Sequence, residues 1–185
     1  MTAALDSFVV EAKAILTEDG GPAGRDKVHA KLEDLLMDDE FIAAYCGPDA
    51  SGGANVLYED PDLGFQVVSH IMDKPLEGGV HDHGESWAIY GQAVEWTDMT
   101  EWNRTDDRSR PGKATVERDK TYRLERDMAG IFEDGAIHSI SYPAGARFVR
   151  ITGCDLSTIA RGRYNVEEGT MKLEQRPNFD GSEQK

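Results

Sequence analysis

The chain has 185 residues, enough for a single domain whose core needs neither disulfides nor a metal for its stability. Its 35 acidic and 20 basic side chains give a net charge of −15, which repels nucleic acids and anionic membranes, so we expect neither as a partner. No apolar run approaches the roughly 18 residues that cross a bilayer. Only two cysteines are present, far apart, and no secretion signal opens the chain, so we expect a protein of the reducing cytoplasm.

The first 45 residues have the periodicity of α-helices. Apolar side chains recur at spacings of three and four over residues 5–16 and again over residues 28–36, and a Gly-Gly-Pro sequence at 20–22 separates the two stripes. A third, short helix is predicted around residues 41–45. This part contains no cluster of reactive side chains, and we therefore predict that residues 1–47 are a helical cap packed on a larger domain.

From residue 54 onwards the period changes to that of β-strands, and many short strands separated by turn formers indicate a closed or sandwiched all-β body. We assign it residues 48–175 and predict that residues 176–185, which lack periodicity, form a loose tail. The polar segment 97–113 is predicted to be a long surface loop that overhangs a cavity mouth. The predicted strands are 55–58, 65–71, 80–83, 87–94, 115–118, 121–124, 130–132, 138–142, 147–152 and 171–174.

Three of the five histidines are spaced as metal ligands. His81 and His83 share one face of a predicted strand, while Asp82 points to the other. A turn glycine, Gly135, comes shortly before the strand that carries His138 and is expected to deliver this histidine opposite the first two. Three neutral imidazoles around a divalent ion leave coordination positions open for water or substrate. The spacing therefore predicts a metal site.

The residues around these histidines resemble a known family. Gly-Gly-Val-His-Asp-His-Gly at 78–84 and Asp-Gly-Ala-Ile-His at 134–138 resemble the two metal motifs of the cupin barrel. The His-Asp-His sequence followed by Trp87 is particularly similar to the cysteine dioxygenase-like thiol dioxygenases, over about residues 55–152. The resemblance implies an all-β fold, a cupin double-stranded β-helix barrel with an N-terminal α-helical cap. It also implies an iron(II) centre held by His81, His83 and His138.

The metal motifs depart from the cupin pattern at one ligand. Most cupins carry a glutamate four or five residues after the second histidine, where this chain has Trp87 and Ala88. The thiol dioxygenases also lack that glutamate, which favours the narrower family. Ala88 replaces the cysteine that forms their cysteine-tyrosine crosslink, so no such crosslink is expected here.

The substrate-binding residues of the thiol dioxygenases are also replaced. Their Ser-x-His-x-Tyr triad aligns with Phe148, Arg150 and Thr152, and their carboxylate-binding arginine falls near Asn55. These replacements argue against cysteine itself being bound in the way that the family binds it.

Arg150 is a candidate residue for binding an anionic substrate. Strand alternation puts Phe148, Arg150 and Thr152 on one face, and if this face lines the barrel, Arg150 is a buried cation near the metal. A buried guanidinium needs an anionic partner, and its planar fork suits a carboxylate, sulfonate or phosphonate. We hypothesise that it anchors an anionic substrate whose other end binds the metal. The alternatives are a surface arginine or one paired with Glu133 or Glu95.

Four other side chains have assigned roles. Tyr90 and Tyr142 lie on strands next to the ligand strands and could donate a phenolic hydrogen bond to bound substrate or oxygen, the alternative being buried tyrosines that are satisfied in the core. Trp87 is predicted to wall the pocket, with core packing as its alternative. His70 is predicted to have a structural role rather than to bind metal.

The leading functional hypothesis is a mononuclear non-haem iron dioxygenase-like enzyme that acts on a small thiol or other small anionic metabolite, with dioxygen as co-substrate. The catalytic candidates are Arg150, Tyr90 and Tyr142. One alternative is a non-oxidative lyase, isomerase or hydrolase that uses Zn, Ni or Mn. Another is a non-catalytic cupin that binds a metal or ligand. The substrate and the oligomeric state stay open.

Overall fold

A computed structural model describes residues 1–175, and the predicted tail, residues 176–185, lies outside the described part. The three predicted helices are confirmed, and each begins at a recognisable signal. Thr2 and Asp38 cap α1 and α3 by accepting hydrogen bonds from the backbone N–H groups of Leu5 and Phe41, and Pro22 opens α2. The helices are α1 (Ala3–Glu18), α2 (Pro22–Leu36) and α3 (Asp39–Tyr45). No helix within residues 1–175 is long and apolar enough to span a membrane.

The strands form two larger antiparallel sheets and a hairpin. One sheet has five strands in the order β1-β2-β9-β4-β7, the other has four in the order β3-β8-β5-β6, and β10 pairs with β11. The strands within the described residues are β1 (Gly53–Glu59), β2 (Gln66–Ile71), β3 (Leu76–Glu77), β4 (Ala88–Val94), β5 (Thr97–Arg104), β6 (Val116–Leu124), β7 (Ala129–Phe132), β8 (Ile137–Tyr142), β9 (Arg147–Thr152), β10 (Ala160–Asn165) and β11 (Thr170–Gln175).

The helical cap covers the outer face of the five-stranded sheet. Ile89 on β4 and Val149 on β9 belong to one buried cluster with the apolar stripes of α1 and α2. The approach of α2 to β4 is close at Gly91, where a Cβ atom would lie 2.7 Å from the δ-carbons of both Leu32 and Leu36. Because glycine has no side chain, the helix can pack directly on the strand, and this packing sets the position of the cap.

A second core lies between the two sheets. Successive side chains of a strand point to opposite faces, so Tyr90 and Phe148 face inward where Ile89 faces the cap. They meet Met99, Leu124 and Tyr142 from the four-stranded sheet. The five-stranded sheet is therefore buried on both faces. These two layers and the cap confirm the all-β cupin-type barrel with an N-terminal helical cap.

The prediction of a loop over residues 97–113 is wrong in its first half. β5 runs over Thr97–Arg104 and is hydrogen-bonded on both sides, to β6 and to β8. Its sequence is polar because several of its charged side chains form ion pairs with β6, including Asp98 with Arg123 at 2.7 Å and Glu101 with Lys120 at 3.2 Å. Residues 97–104 are therefore part of the barrel wall, whereas residues 105–113 are irregular, as the loop prediction requires.

Other strand predictions need correction. Residues 80–83 form no strand, because His81 makes only isolated bridges, to His138 and to Arg163. The two strands predicted at 115–118 and 121–124 are one continuous strand, β6, and neither β3 nor β10 was predicted. The first metal motif is therefore a loop, held by isolated backbone bonds to β8 and β10 and by side-chain contacts rather than by a continuous strand ladder.

Asp60, in the turn between β1 and β2, is a buried carboxylate that joins the barrel to the cap. It accepts hydrogen bonds from the Tyr58 hydroxyl at 2.8 Å and from the backbone N–H groups of Asp62 at 3.0 Å and Leu63 at 2.8 Å. The Nζ atom of Lys13 on α1 lies 3.2 Å from its Oδ2. Burial opposes ionisation, but the bonds to the charged form outweigh it and lower the pKa of Asp60 to about 2.

Replacing Asp60 by alanine is expected to reduce the free energy of unfolding by about 3 kcal/mol and Tm by roughly 10 °C at pH 7, because three donors lose their acceptor. The folded-state pKa lies below the unfolded value of about 3.9, so this stabilisation is present above about pH 4 and is lost as the pH falls towards 2. Thermal melts should therefore show the difference between wild type and variant shrinking over that range.

The matched control is Asp62→Ala, because the Asp62 side chain is 71% exposed and its ion pair with Lys13 should contribute little. Equal losses of Tm in the two variants, or a difference that persists on acidification, would contradict the role of Asp60.

Candidate metal centre

The structure brings the three predicted ligands together. His81, His83 and His138 are 8%, 3% and 0% exposed, and one ring nitrogen from each lies within 4.8 Å of the corresponding atoms of the other two. Their ring centroids are 4.6 to 5.5 Å apart. No other group of three or more histidine, cysteine, aspartate or glutamate side chains in residues 1–175 has this geometry, and no carboxylate joins the cluster.

Backbone contacts fix how two of the histidines face the cluster. The Nδ1 atom of His81 lies 2.9 Å from the carbonyl oxygen of Gly79, and that of His138 lies 3.3 Å from the carbonyl oxygen of Ala136. A carbonyl only accepts hydrogen bonds, so in both rings Nδ1–H donates and Nε2 keeps the lone pair that a metal needs. Reciprocal backbone bonds between His81 and His138, at 2.9 and 2.8 Å, hold the two motifs side by side.

Tyr90 contacts the third histidine. Its hydroxyl lies 3.2 Å from Nε2 of His83, and its ring packs against those of Phe132 and Phe148 at centroid distances of 5.7 and 5.9 Å. Tyr90 is 3% exposed, so this hydroxyl lies in an apolar interior. The Tyr90 hydroxyl therefore lies beside the histidine cluster, and its donation to a bound substrate or oxygen stays a prediction.

Arg150 faces the same interior. It is 7% exposed and directly opposite Tyr90 in the pairing of β4 with β9, which puts the two side chains on one face of the sheet. The surface alternative is therefore wrong. Among the described residues, its Nε has no hydrogen-bond partner and no ion pair includes its guanidinium; Glu133, one proposed partner, pairs with Arg25 instead. Within residues 1–175, Arg150 is therefore a buried cation without a counter-charge, on the sheet face that also carries Tyr90.

Tyr142, Trp87 and His70 occupy different surroundings. Tyr142 faces the interior with its ring centroid 5.8 Å from that of Phe148, and His70 stacks on the same phenylalanine at 4.6 Å. Trp87 belongs to the outer cluster beneath the cap, so the prediction that it walls the pocket is wrong. Alternation explains the error, because the odd-numbered residues at this end of β4 face the helices.

Asp82 has a role that the sequence did not reveal. Its carboxylate is buried and accepts hydrogen bonds from the backbone N–H groups of Gly162 at 2.7 Å and Gly84 at 2.8 Å and from the Tyr164 hydroxyl at 2.7 Å. Burial, together with the Asp82 carboxylate, raises the pKa of Tyr164, so this hydroxyl stays protonated and donates. The first metal motif is thereby tied to β10. The one sequence feature that indicated a separate role for Asp82 was its predicted orientation away from His81 and His83.

Comparisons with known proteins add only weak likenesses. Neither a family model nor a curated protein matches the sequence. Among solved structures, the chain is similar to the Cnp3 cupin domain of Schizosaccharomyces pombe, with 14% identity and a TM-score of 0.43 over 58% of this chain and 66% of that one. It is also similar to KdgF from Halomonas sp., with 11% identity and a TM-score of 0.41 over 54% of this chain and 74% of that one.

A third similar structure is a cupin superfamily protein from Desulfitobacterium hafniense, with 12% identity and a TM-score of 0.42 over 60% of this chain and 86% of that one. The chain spans slightly less than two thirds of the Cnp3 domain's length. At these identities and TM-scores the likenesses have no bearing on activity.

The residues present fit a divalent metal. Three neutral imidazole nitrogens, buried and preoriented at two of the three positions, form a donor set suited to iron, zinc, nickel or manganese, and they leave coordination positions open. The chain thus combines a cupin-type barrel with a candidate metal site of His81, His83 and His138.

Proposed function

We propose that the protein is a mononuclear non-haem iron enzyme, an oxygenase that acts on a small thiol or other small anionic metabolite, with dioxygen as co-substrate. The observation that carries this proposal is the coincidence, in the buried interior, of an all-histidine cluster and an arginine that has no ion pair with any residue from 1 to 175. The histidines suit the metal and the arginine suits the anion.

Iron(II) held by three neutral ligands would keep its full dipositive charge, favour an anionic donor such as a thiolate and supply the redox chemistry for reaction with oxygen. For a thiol RSH the overall change is RSH + O₂ → RSO₂H. Both oxygen atoms are transferred to sulfur, which is oxidised while oxygen is reduced, so no external reductant is required.

The chain's own residues contribute binding and orientation. Arg150 would bind the anionic end of the substrate through its planar fork and so fix which end reaches the cluster. Tyr90 would hold a hydrogen-bond donor at the position of its hydroxyl, beside His83. Phe132 and Phe148 exclude water from the space between the sheets, where each polar interaction is stronger than in bulk solvent.

The same donor set supports a second candidate. Three histidines with open positions are equally suited to zinc, nickel or manganese, and the enzyme would then be a non-oxidative lyase, isomerase or hydrolase. A protein that binds its ligand without reaction is the third. Nothing in the donor set itself separates these, so the metal and the uptake of oxygen must be measured.

We also propose that the protein works in a reducing compartment such as the cytoplasm. Both cysteines are free thiols, and burial raises the pKa of each, that of Cys46 to about 11.

The test is oxygen consumption by the iron-loaded protein across a panel of small thiols, including cysteine, cysteamine and 3-mercaptopropionate, and of anionic metabolites without a thiol. We expect uptake with at least one of them, and iron in protein purified without added metal. Stoichiometric zinc together with no oxygen uptake over the whole panel would overturn the oxygenase in favour of the non-oxidative candidate.

A further inference from the structure

One side chain of the cap reaches the flanks of both metal motifs. Arg25, in the first turn of α2, is 12% exposed. Its Nη1 pairs with Glu133 and its Nη2 lies 3.5 Å from Oδ2 of Asp134, while Nε donates to the carbonyl oxygen of Gly20 at 3.1 Å. The guanidinium also lies 5.7 Å from the ring centroid of Trp87. Glu133 and Asp134 precede His138, and Trp87 follows His83.

The contact with Glu133 leads to His138. Glu133 opens a tight turn in which its carbonyl oxygen accepts a hydrogen bond from the N–H of Ala136 at 2.9 Å. The carbonyl of Ala136 in turn lies 3.3 Å from Nδ1 of His138 and orients that ring. The Ala136 carbonyl, which orients His138, is therefore part of the turn that begins at Glu133. Arg25 binds the side chains of the first two residues of this turn.

The contact with Trp87 leads to His83. The N–H of Ser86 donates to the carbonyl oxygen of His83 at 3.3 Å, and the Ser86 hydroxyl donates to the carbonyl oxygen of Trp87 at 3.0 Å. Trp87 fits tightly, since a Cβ atom on Gly153 would lie 2.6 Å from its Nε1. The indole ring that Arg25 contacts is thus tightly packed, and it lies directly after the first metal motif.

We propose that Arg25 is a positioning residue for the metal centre, through which the docking of α2 sets the spacing of the two motifs. The inference rests on the proposed function, because it takes the three-histidine cluster to be a metal site. The physical reason is that residues 80–83 form no continuous strand, so the isolated backbone bonds of the first motif are supplemented by side-chain contacts. Asp82 provides one tie, towards β10, and Arg25 provides another, towards the second motif.

The test compares Arg25→Met with Lys13→Met by titration with Zn²⁺ and Co²⁺. Lys13 is a matched control, since it also joins the cap to two barrel carboxylates, Asp60 at 3.2 Å and Asp62 at 2.5 Å, but in the β1–β2 turn. We expect Arg25→Met to weaken metal binding by about 10-fold or more and to change the visible absorption of bound Co²⁺. Lys13→Met should change neither. Arg25→Lys, which keeps the charge but loses the planar fork, should fall between them.

Equal metal affinity and equal Co²⁺ spectra in the Arg25→Met and Lys13→Met proteins would overturn the inference. If Arg25→Met does not fold, Glu133→Gln removes the same ion pair at a side chain that is 42% exposed, and it should weaken binding in the same direction. Unchanged binding in that variant would also overturn the inference. A wild type that binds no divalent metal would overturn the metal centre itself, which separates failure of the proposed function from failure of this inference.

Discussion

Replacing His138 by alanine is expected to abolish stable metal binding. This side chain is fully buried and supplies one of three donor atoms, so its loss leaves a two-histidine site. A donor in a protein metal site is worth roughly 3 kcal/mol, and we expect the affinity for Zn²⁺ or Fe²⁺ to fall by at least about 100-fold. Metal content after dialysis, together with competition against a chelating dye, measures the change.

A second buried histidine provides the control for that experiment. His70 is 3% exposed and stacks on Phe148 in the same interior, but it is not part of the three-histidine group. His70→Gln should therefore retain its metal. Retention of metal by His138→Ala, or an equal loss from both variants, would show that the centre does not have the three ligands described.

Much of the fold could be predicted because its signals are local. Each helix of the cap begins at a polar capping residue or a proline and carries a regular stripe of apolar residues. The structure buries residues of these stripes. The strands β2, β4 and β9 were predictable because each contains apolar, β-branched or aromatic residues, and nearly all of their positions are buried. Alternation along β9 also predicted that Arg150 and Phe148 share one face, and the structure shows that this face is buried.

The incorrect predictions for β5 and for residues 80–83 share a physical cause. The structure of these segments depends on contacts with residues distant in sequence, which leave no local sequence pattern. β5 carries charged residues on its outer face, where Asp98 pairs with Arg123 across the sheet, and its sequence therefore has the composition of a loop. The first metal motif has alternating histidines but is held by Asp82 bonded to residues 162 and 164, about 80 positions later. The contact of Arg25 with Glu133 spans 108 positions and has no sequence signal at all.

Arg150→Met is expected to raise the stability of the ligand-free protein while removing its affinity for anions. The guanidinium is buried with Nε unbonded and no ion pair among the described residues, an arrangement that costs free energy in the absence of ligand. Methionine fills much of the same volume without charge. We expect a gain of about 1–3 kcal/mol in the free energy of unfolding, a rise in Tm of roughly 2–4 °C per kcal/mol.

The loss of anion binding should be larger than the gain in stability. Removing one member of a buried charge pair typically costs 2–5 kcal/mol, so the Kd of a bound small carboxylate or thiol acid should rise by at least about 30-fold. Calorimetry on zinc-loaded protein measures this without oxygen chemistry, and the zinc content should stay unchanged. Polar groups in binding sites commonly contribute to function while they lower stability. The free energy of unfolding and the Kd for the anion should therefore be measured on the same Arg150→Met protein.

Arg147→Met is the matched control, because Arg147 lies on the same strand and donates from Nη1 to the carbonyl oxygen of Cys46 at 2.7 Å. Its removal should lower Tm, since a bonded acceptor loses its donor, and should leave anion affinity unchanged. If Arg150→Met instead lowers Tm and leaves anion affinity unchanged, Arg150 is a structural arginine. Both arginines have a buried, unbonded Nε, but Nη1 of Arg147 is bonded to a backbone carbonyl. Arg150 has no ion pair within residues 1–175, so we expect a ligand to supply its counter-charge, and the two variants should change Tm in opposite directions.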